Sequence, residues 1–207
     1  NRKLDRVRIF EIGRAFLRDA SVLGGHIDVA GIRQPMRIAA AAFGSADEEQ
    51  WGIAARNVDF FDLKNDIDIL VAPAQVRVER APHPALHPGR SARVLLNGSE
   101  IGWLGELHPG LQRKYELPAP LVLFELDAGP LLARSLPQYA EVSKFPPVRR
   151  DLSVTVDEKM SVQSILDGLV RSKASIVDAI SVFDVYRGKS IENGKKGLAF
   201  RVLLQDT

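Results

Sequence analysis

The sequence predicts an α+β chain in two parts, an antiparallel-sheet domain followed by a smaller strand-helix-strand-strand unit. Three observations carry this. Residues 1–137 are dominated by strand patterns, with an Asn-Gly hairpin among them. Pro130, Pro137, Pro146 and Pro147 then break all periodicity over 129–147, placing a linker at 138–147. Beyond them, over 148–207, the apolar spacing switches from two to 3.6 and back again.

In the first part, Val7 to Gly13 alternates as a strand, Asp19–Gly25 is a turn region, and Met36–Phe43 is an alanine-rich strand of the fully buried kind. Phe60, Leu63, Lys64, Ile67, Leu70 and Val71 follow helical spacing behind Asp59, a suitable N-cap, and Pro73 stops the run. In ARVLLNGSEIGWLGEL two apolar strands flank Asn97-Gly98, a pair suited to a turn with two positive φ angles. Pro109 fits the first turn of a short helix ending near Tyr115, and Leu121–Ala128 reads as another buried strand.

In the second part, Asp151–Val156 is a strand. A helix capped near Ser161 sets Val162, Ile165, Leu166, Leu169 and Val170 on one face. Ile176–Tyr186 and the alternating Leu198, Phe200, Val202 and Leu204 are two more strands, with a basic loop containing Lys195 and Lys196 between them. A β-α-β-β order is most of a ferredoxin-like fold and lacks its last helix and strand. The chain is therefore expected to be a piece of a longer protein, as an N-terminus opening almost within a strand also suggests.

Composition narrows the function. At 207 residues, 45% apolar and 26% charged, the chain resembles an ordinary globular protein able to bury a core. It has no apolar run of the roughly 18 residues a membrane span needs, and NRKLDRVRIF holds no secretion-signal stretch. The absence of cysteine excludes disulfides, thiolate metal sites and cysteine nucleophiles, and is compatible with the expected cytoplasmic location. Residues 1–137 balance 17 basic against 17 acidic side chains, while 138–207 hold 11 against 9. A nucleic-acid role must therefore rest on clustering rather than on total charge.

Signals for catalysis are weak. There is no P-loop and no Gly-x-Gly-x-x-x-Arg sequence. His83, His87 and His108 each precede a proline, which disfavours the helical geometry a two-histidine metal site would use, so they are read as turn residues. Ser91 lacks a nucleophile-elbow context and reads as structural. Trp51 and Trp103 are read as core residues, with an interface anchor as the alternative.

The signals for RNA are stronger. Arg149, Arg150, Ser153, Asp184, Tyr186, Arg187, Lys189, Lys195 and Lys196 form the candidate site. Unstacked bases are bound by stacking on aromatic or guanidinium planes and by hydrogen bonds to their edges. Tyr186 offers the stacking face, Asp184 an acceptor two residues away on the same strand face, and the Arg and Lys residues offer charge for phosphates. The competing reading pairs Asp184 with Arg187 and leaves the two lysines in a solvated loop.

With these residues laid out, the chain resembles the C-terminal part of the bacterial phenylalanyl-tRNA synthetase β-subunit family. RVRIFEIGRAF is similar to the strand that corresponds to the second signature motif of class II synthetases. DFFDLK, HPGRSARVLLNGSEIGWLGELHP and FELD continue that catalytic-like domain in order. FPPVRRDLSV and VFDVYRG with GKKGLAF resemble the family's ferredoxin-like anticodon-binding domain. One departure is Gly197, where the family usually has serine.

The resemblance implies that residues 1–137 form a class II synthetase-like scaffold that has lost its chemistry and pairs with a catalytic α subunit in a heterotetramer. It implies that 148–207 grip the anticodon of phenylalanine tRNA, near Ser153 and the Asp184-Val185-Tyr186 segment. The fragment would hold no cofactor, while the whole enzyme would use ATP and Mg²⁺. Two other readings compete: an active amino-acid-adenylating first domain, which the absent glycine-rich motif argues against, and a small-molecule-sensing ferredoxin-like regulatory module, which the basic loop argues against.

Overall fold

The alternation read from the sequence becomes, in a computed structural model, two units, Asn1–Leu136 and Pro137–Thr207. The structure describes residues 4–26, 29–133, 139 and 143–206. Residues 138 and 140–142 of the expected linker lie outside the described residues.

The first unit runs through β1 (Arg6–Arg14), β2 (Leu17–Arg18), β3 (Ile32–Arg33), β4 (Met36–Gly44), α1 (Phe60–Val71), β5 (Val76–Arg80), β6 (Leu86–Leu96), β7 (Ser99–Leu107), α2 (Pro109–Lys114), β8 (Val122–Asp127) and α3 (Ala128–Leu132). Six of these strands form one antiparallel sheet in the order β1-β4-β8-β7-β6-β5, and β2 pairs with β3 separately. The hairpin between β6 and β7 turns through Asn97 and Gly98 at φ 52° and 81°, as the Asn-Gly pair predicts.

One face of this sheet is the core. In-register residues Ala42, Val122, Phe124, Leu126, Leu104 and Val94 lie on it, and Leu63, Ile67 and Val71 of α1 close over it. Burying each larger side chain contributes about 1.5–3 kcal/mol. Gly102 sits in this layer because β7 and β8 approach closely: a Cβ there would lie 2.0 Å from the Glu125 carbonyl oxygen.

Helix α1 begins where its cap dictates. Asp59 accepts from the Phe61 and Asp62 amides at 2.8 and 3.3 Å, and the Asp62 carboxylate accepts from the Asp59 amide at 2.8 Å. This reciprocal box satisfies donors that a helix start leaves open. Arg56 grips the same Asp62 carboxylate through two nitrogens, at 2.6 and 2.7 Å, and is the main reason that its pKa lies below the ordinary 3.8.

Several sequence expectations are corrected here. Strand β4 is half-buried rather than fully buried, because only its even residues face the core, and of these Ala42 alone is fully covered. Trp51 is 97% exposed, and Trp103 lies on the face away from the core, its ring 4.9 Å from that of His83. Strand β5 was not expected, and α3 occupies part of the supposedly aperiodic boundary.

The second unit consists of β9 (Val148–Asp157), α4 (Val162–Ser172), β10 (Val177–Tyr186) and β11 (Lys195–Leu204). Its sheet has the order β10-β11-β9, with both outer strands antiparallel to β11. Strands β9 and β10 are therefore parallel, and α4 makes the crossover between them, the split βαβ arrangement expected of a ferredoxin-like unit.

Leu198 and Phe200 on β11 are its fully buried apolar side chains among the described residues. Ser161 caps α4 by accepting from the Ser164 amide at 3.4 Å. Val162, Ile165, Leu166 and Leu169 are half-buried, whereas Val170, expected on the same face, is exposed. Lys195 and Lys196 belong to β11, not to a loop, and β9 begins three residues before the expected Asp151.

Urea unfolding is expected to show that Asp59→Ala costs about 1 kcal/mol, the usual value for losing an N-cap. Gly102→Ala is expected to cost about 3 kcal/mol or more, because the added methyl meets backbone rather than a movable side chain. The stability that Asp62 supplies is complete above its unfolded pKa of 3.8 and is lost as pH falls through its lower folded value. Asp62→Asn is therefore expected to flatten that part of the acid-unfolding curve.

Candidate nucleic-acid interface

Strict alternation along β11 sends Leu198 and Phe200 into the core, so Gly197, Ala199 and Arg201 face the other way. Their in-register neighbours share that face. Thr155, Gly197 and Tyr186 form one row; Ser153, Ala199 and Asp184 form the next; Asp151, Arg201 and Ser181 form the third. The open face is thus floored by small and hydroxylated side chains, with Tyr186 (47% exposed) at one end and charged groups at the other.

A break in register puts Asp184 and Tyr186 there. Val182 pairs with Phe200 and Asp184 with Ala199, leaving Phe183 as an extra residue, a β-bulge. Counted without the bulge from Ser181, Asp184 and Tyr186 would fall on the core side.

Tyr186 lies beside two positions that lack a side chain, of which Gly188 alone makes room for its ring. A Cβ on Gly188 would lie 2.0 Å from the Tyr186 hydroxyl oxygen and 2.3 Å from Cζ, so the ring lies across Gly188. At Gly197, where the resembled family usually has serine, a Cβ would stand 3.7 Å from Tyr186 Cβ and 3.5 Å from Ile191 Cδ1. These are ordinary contacts, so that position has room for a larger residue.

The nine predicted residues divide by face and by partner. Arg149, Ser153, Asp184 and Tyr186 share the open face. Arg150, in register with Val202, lies on the opposite face, and so does Lys196. Lys196 is 6% exposed, and its Nζ donates to the Glu158 carbonyl oxygen at 2.9 Å. Arg187 donates to the Glu158 carboxylate at 2.9 Å, which raises the arginine's pKa and lowers the glutamate's. These two cations fasten the turn between β9 and α4, and the alternative pairing of Arg187 with Asp184 does not occur. Lys195 pairs with Glu192 at 2.6 Å, and Lys189 is exposed in the turn after β10.

Sequence reasoning missed Asp151, Phe183 and Arg201. Asp151 accepts from Arg149 at 3.3 and 3.4 Å and from Arg201 at 3.2 and 3.5 Å. Hydrogen bonds from Arg149, then Arg201, hold its pKa below the usual carboxylate range. Carrying the alternation of β9 back from Ser153 would have found Asp151; Phe183 and Arg201 needed the bulge and the sheet order.

In the first unit, Arg8, Glu11 and Arg14 lie in the strand that resembles the second signature motif, with Arg8 and Arg14 on one face of β1 and Glu11 on the other. Arg8 is paired with Asp66 of α1 at 2.6 Å. They do not converge on a phosphate, so these residues do not fit a nucleotide clamp. Each of His83, His87 and His108 accepts through Nδ1 from the amide two residues on, at 3.3, 3.0 and 3.0 Å, which closes a His-Pro turn. Ser91 donates to the Ala81 carbonyl oxygen at 2.8 Å. No group of three potential metal ligands occurs among the described residues. Nor is any helix there long and apolar enough to cross a membrane.

Replacing Gly188 with alanine is expected to displace the Tyr186 ring while leaving the fold intact. Changed Tyr186 ring resonances with an unchanged melting transition would be the signature. Unmoved resonances would show that the ring does not depend on Gly188.

Comparison with known proteins agrees with the fold of the second unit. Residues 1–128 match the family model described as the phenylalanyl tRNA synthetase beta chain CLM domain, and residues 143–207 match the ferredoxin-fold anticodon binding domain. The whole chain is 51% identical to the phenylalanine–tRNA ligase beta subunit of Burkholderia pseudomallei (strain 1710b), covering 26% of that protein. It is 50% identical over its full length to the beta subunits of Dechloromonas aromatica (strain RCB) and Nitrosospira multiformis, covering 25% of each. The chain spans about a quarter of the length of these curated relatives. Two family matches in the expected order and half-identity along its whole length establish that the chain belongs to the phenylalanyl-tRNA synthetase β-chain family.

Proposed function

We propose that this chain is the part of a phenylalanine–tRNA ligase β subunit that supports the catalytic subunit and reads the tRNA anticodon. The observation that carries the reading is the open face of the second unit, where Tyr186, Asp184 and Ser153 stand together over a floor of small residues. A ring, an anionic acceptor and a hydroxyl on one flat surface suit an unstacked base, which needs a plane to stack on and polar groups at its edge. Arg149, Lys189 and Lys195 supply charge around it for phosphates, while Arg150 lies on the opposite face. Arg187 and Lys196 contribute through the Glu158 turn instead.

Residues 1–137 act as the scaffold domain, 138–147 as the linker and 148–207 as the anticodon-binding domain. The scaffold reading is supported by Phe10 and Ile12, 76% and 59% exposed on the core-side face of the edge strand β1. Apolar groups of this kind beside a sheet edge suit a protein partner, here the α subunit of a heterotetramer. The whole cytoplasmic enzyme would use ATP and Mg²⁺ to attach phenylalanine to its tRNA. The chemistry would belong to the α subunit, since Arg8 and Glu11 form no phosphate clamp here.

Binding of a phenylalanine tRNA anticodon stem-loop across a salt series tests the reading. Tyr186→Ala is expected to weaken it by about 1–3 kcal/mol, the worth of one stacked base. A changed anticodon is expected to lose affinity on the unmodified protein and little more on Tyr186→Ala. Equal binding of all stem-loops, with or without Tyr186, would leave only a charged surface and overturn the anticodon assignment.

A further inference from the structure

We propose that the open face carries a second stacking position, built from Phe183, Arg201 and Asp151, which takes the base of a nucleotide adjacent to the one on Tyr186. The inference rests on the reading of this face as the anticodon reader.

Phe183, the bulge residue, keeps the outward facing of Ser181 two positions before it and presents a half-exposed ring (48%) on the side of the sheet where Arg201 lies. The Arg201 guanidinium carbon is 4.6 Å from the Phe183 ring centroid, a cation-π stack. One edge of the same guanidinium donates to Asp151 through Nε and Nη2 at 3.2 and 3.5 Å. The plane is thus fixed by a ring on one side and a carboxylate at its edge, and the Arg201 side chain is still 34% exposed. A planar cation so held offers a stacking surface, as arginine planes do for splayed bases.

Two further features fit a base rather than a structural ion pair alone. Asp151 is shared by Arg149 and Arg201, so the cluster keeps one net positive charge, favourable beside a phosphate backbone. The row of Asp184, Ala199 and Ser153 lies between this cluster and Tyr186. Edge-reading groups therefore sit between two stacking planes, with a floor flat enough for successive bases. With about 3.3 Å of rise per strand residue, the two positions are roughly 7–10 Å apart along β10. Sheet-based RNA readers stack two or three successive bases on such platforms.

The test uses the full-length β subunit in its intact enzyme and anticodon stem-loops made abasic at either neighbour of the Tyr186-stacked nucleotide. Arg201→Lys keeps the charge and removes the plane. It is expected to weaken the unmodified stem-loop by about 5- to 30-fold, with the salt dependence unchanged. One of the two abasic stem-loops should bind Arg201→Lys and unmodified enzyme equally.

If Arg201→Lys weakens every stem-loop alike, Arg201 serves the fold or a phosphate and the second position is overturned. Wild-type binding by Arg201→Lys overturns it too, leaving the anticodon reading standing if Tyr186→Ala still weakens binding. Should Tyr186→Ala also bind as wild type, the reading beneath the proposal falls with it.

Discussion

Burial of Leu198 and Phe200 on the central strand orients the whole second unit. A three-stranded sheet with one helix can cover one face only, and these two side chains decide which face it is. Once they turn toward α4, the pleat sends Gly197, Ala199 and Arg201 outward, and antiparallel register carries the choice to both neighbours. Ser153, Asp184 and Tyr186 face solvent together because of that packing decision. A one-residue slip of β11 would bury the polar row and expose the core, so the geometry of the candidate site and the stability of the unit are one property.

The first unit applies the same rule on a larger scale, with a different outcome. Its six-stranded sheet buries the face beneath α1, and the other face mixes apolar groups such as Trp103 and Leu123 with ion pairs, among them Arg37 with Asp127 and Arg93 with Glu79. Arg93 donates to Glu79 at 2.6 and 3.0 Å, whereas Arg37 lies 3.4 Å from Asp127 without a hydrogen bond from its buried Nε. Arg8, which a nucleotide-binding sheet would hold ready for phosphate, is instead committed to Asp66 on α1. Such pairs tie neighbouring strands to one another and the sheet to its helix.

Features governed by near neighbours were legible in the sequence. The Asn97-Gly98 hairpin, the Asp59 and Ser161 caps and the alternation of β11 depend on residues within a few positions, and each appears where the pattern puts it. Features that depend on which strands become neighbours were not. Trp103 has the composition of a core residue, but its place in the row beside Glu125 assigns it to the outer face. Lys196 resembles a solvated cation until β11 is seen to carry it under the Glu158 turn. Of the candidate site, the shared facing of Asp184 and Tyr186 was readable from their spacing of two, but their meeting with Ser153 on the open face depended on the bulge. The faces of Arg150 and Lys196 required the register.

The bulge at Phe183 has a consequence for how this strand is encoded. Two reading frames of in-and-out alternation meet in β10, with Ile180 and Val182 inward before the bulge and Val185 inward after it. Phe183 keeps the outward facing of the first frame but pairs with no residue of β11. Its side chain is therefore uncoupled from the register: it can change in size or chemistry without re-facing any neighbour. Residues on either side lack that freedom, since each is tied to a partner whose own facing is set by the core. A supernumerary position of this kind is where a sheet can vary its recognition surface while its fold stays the same.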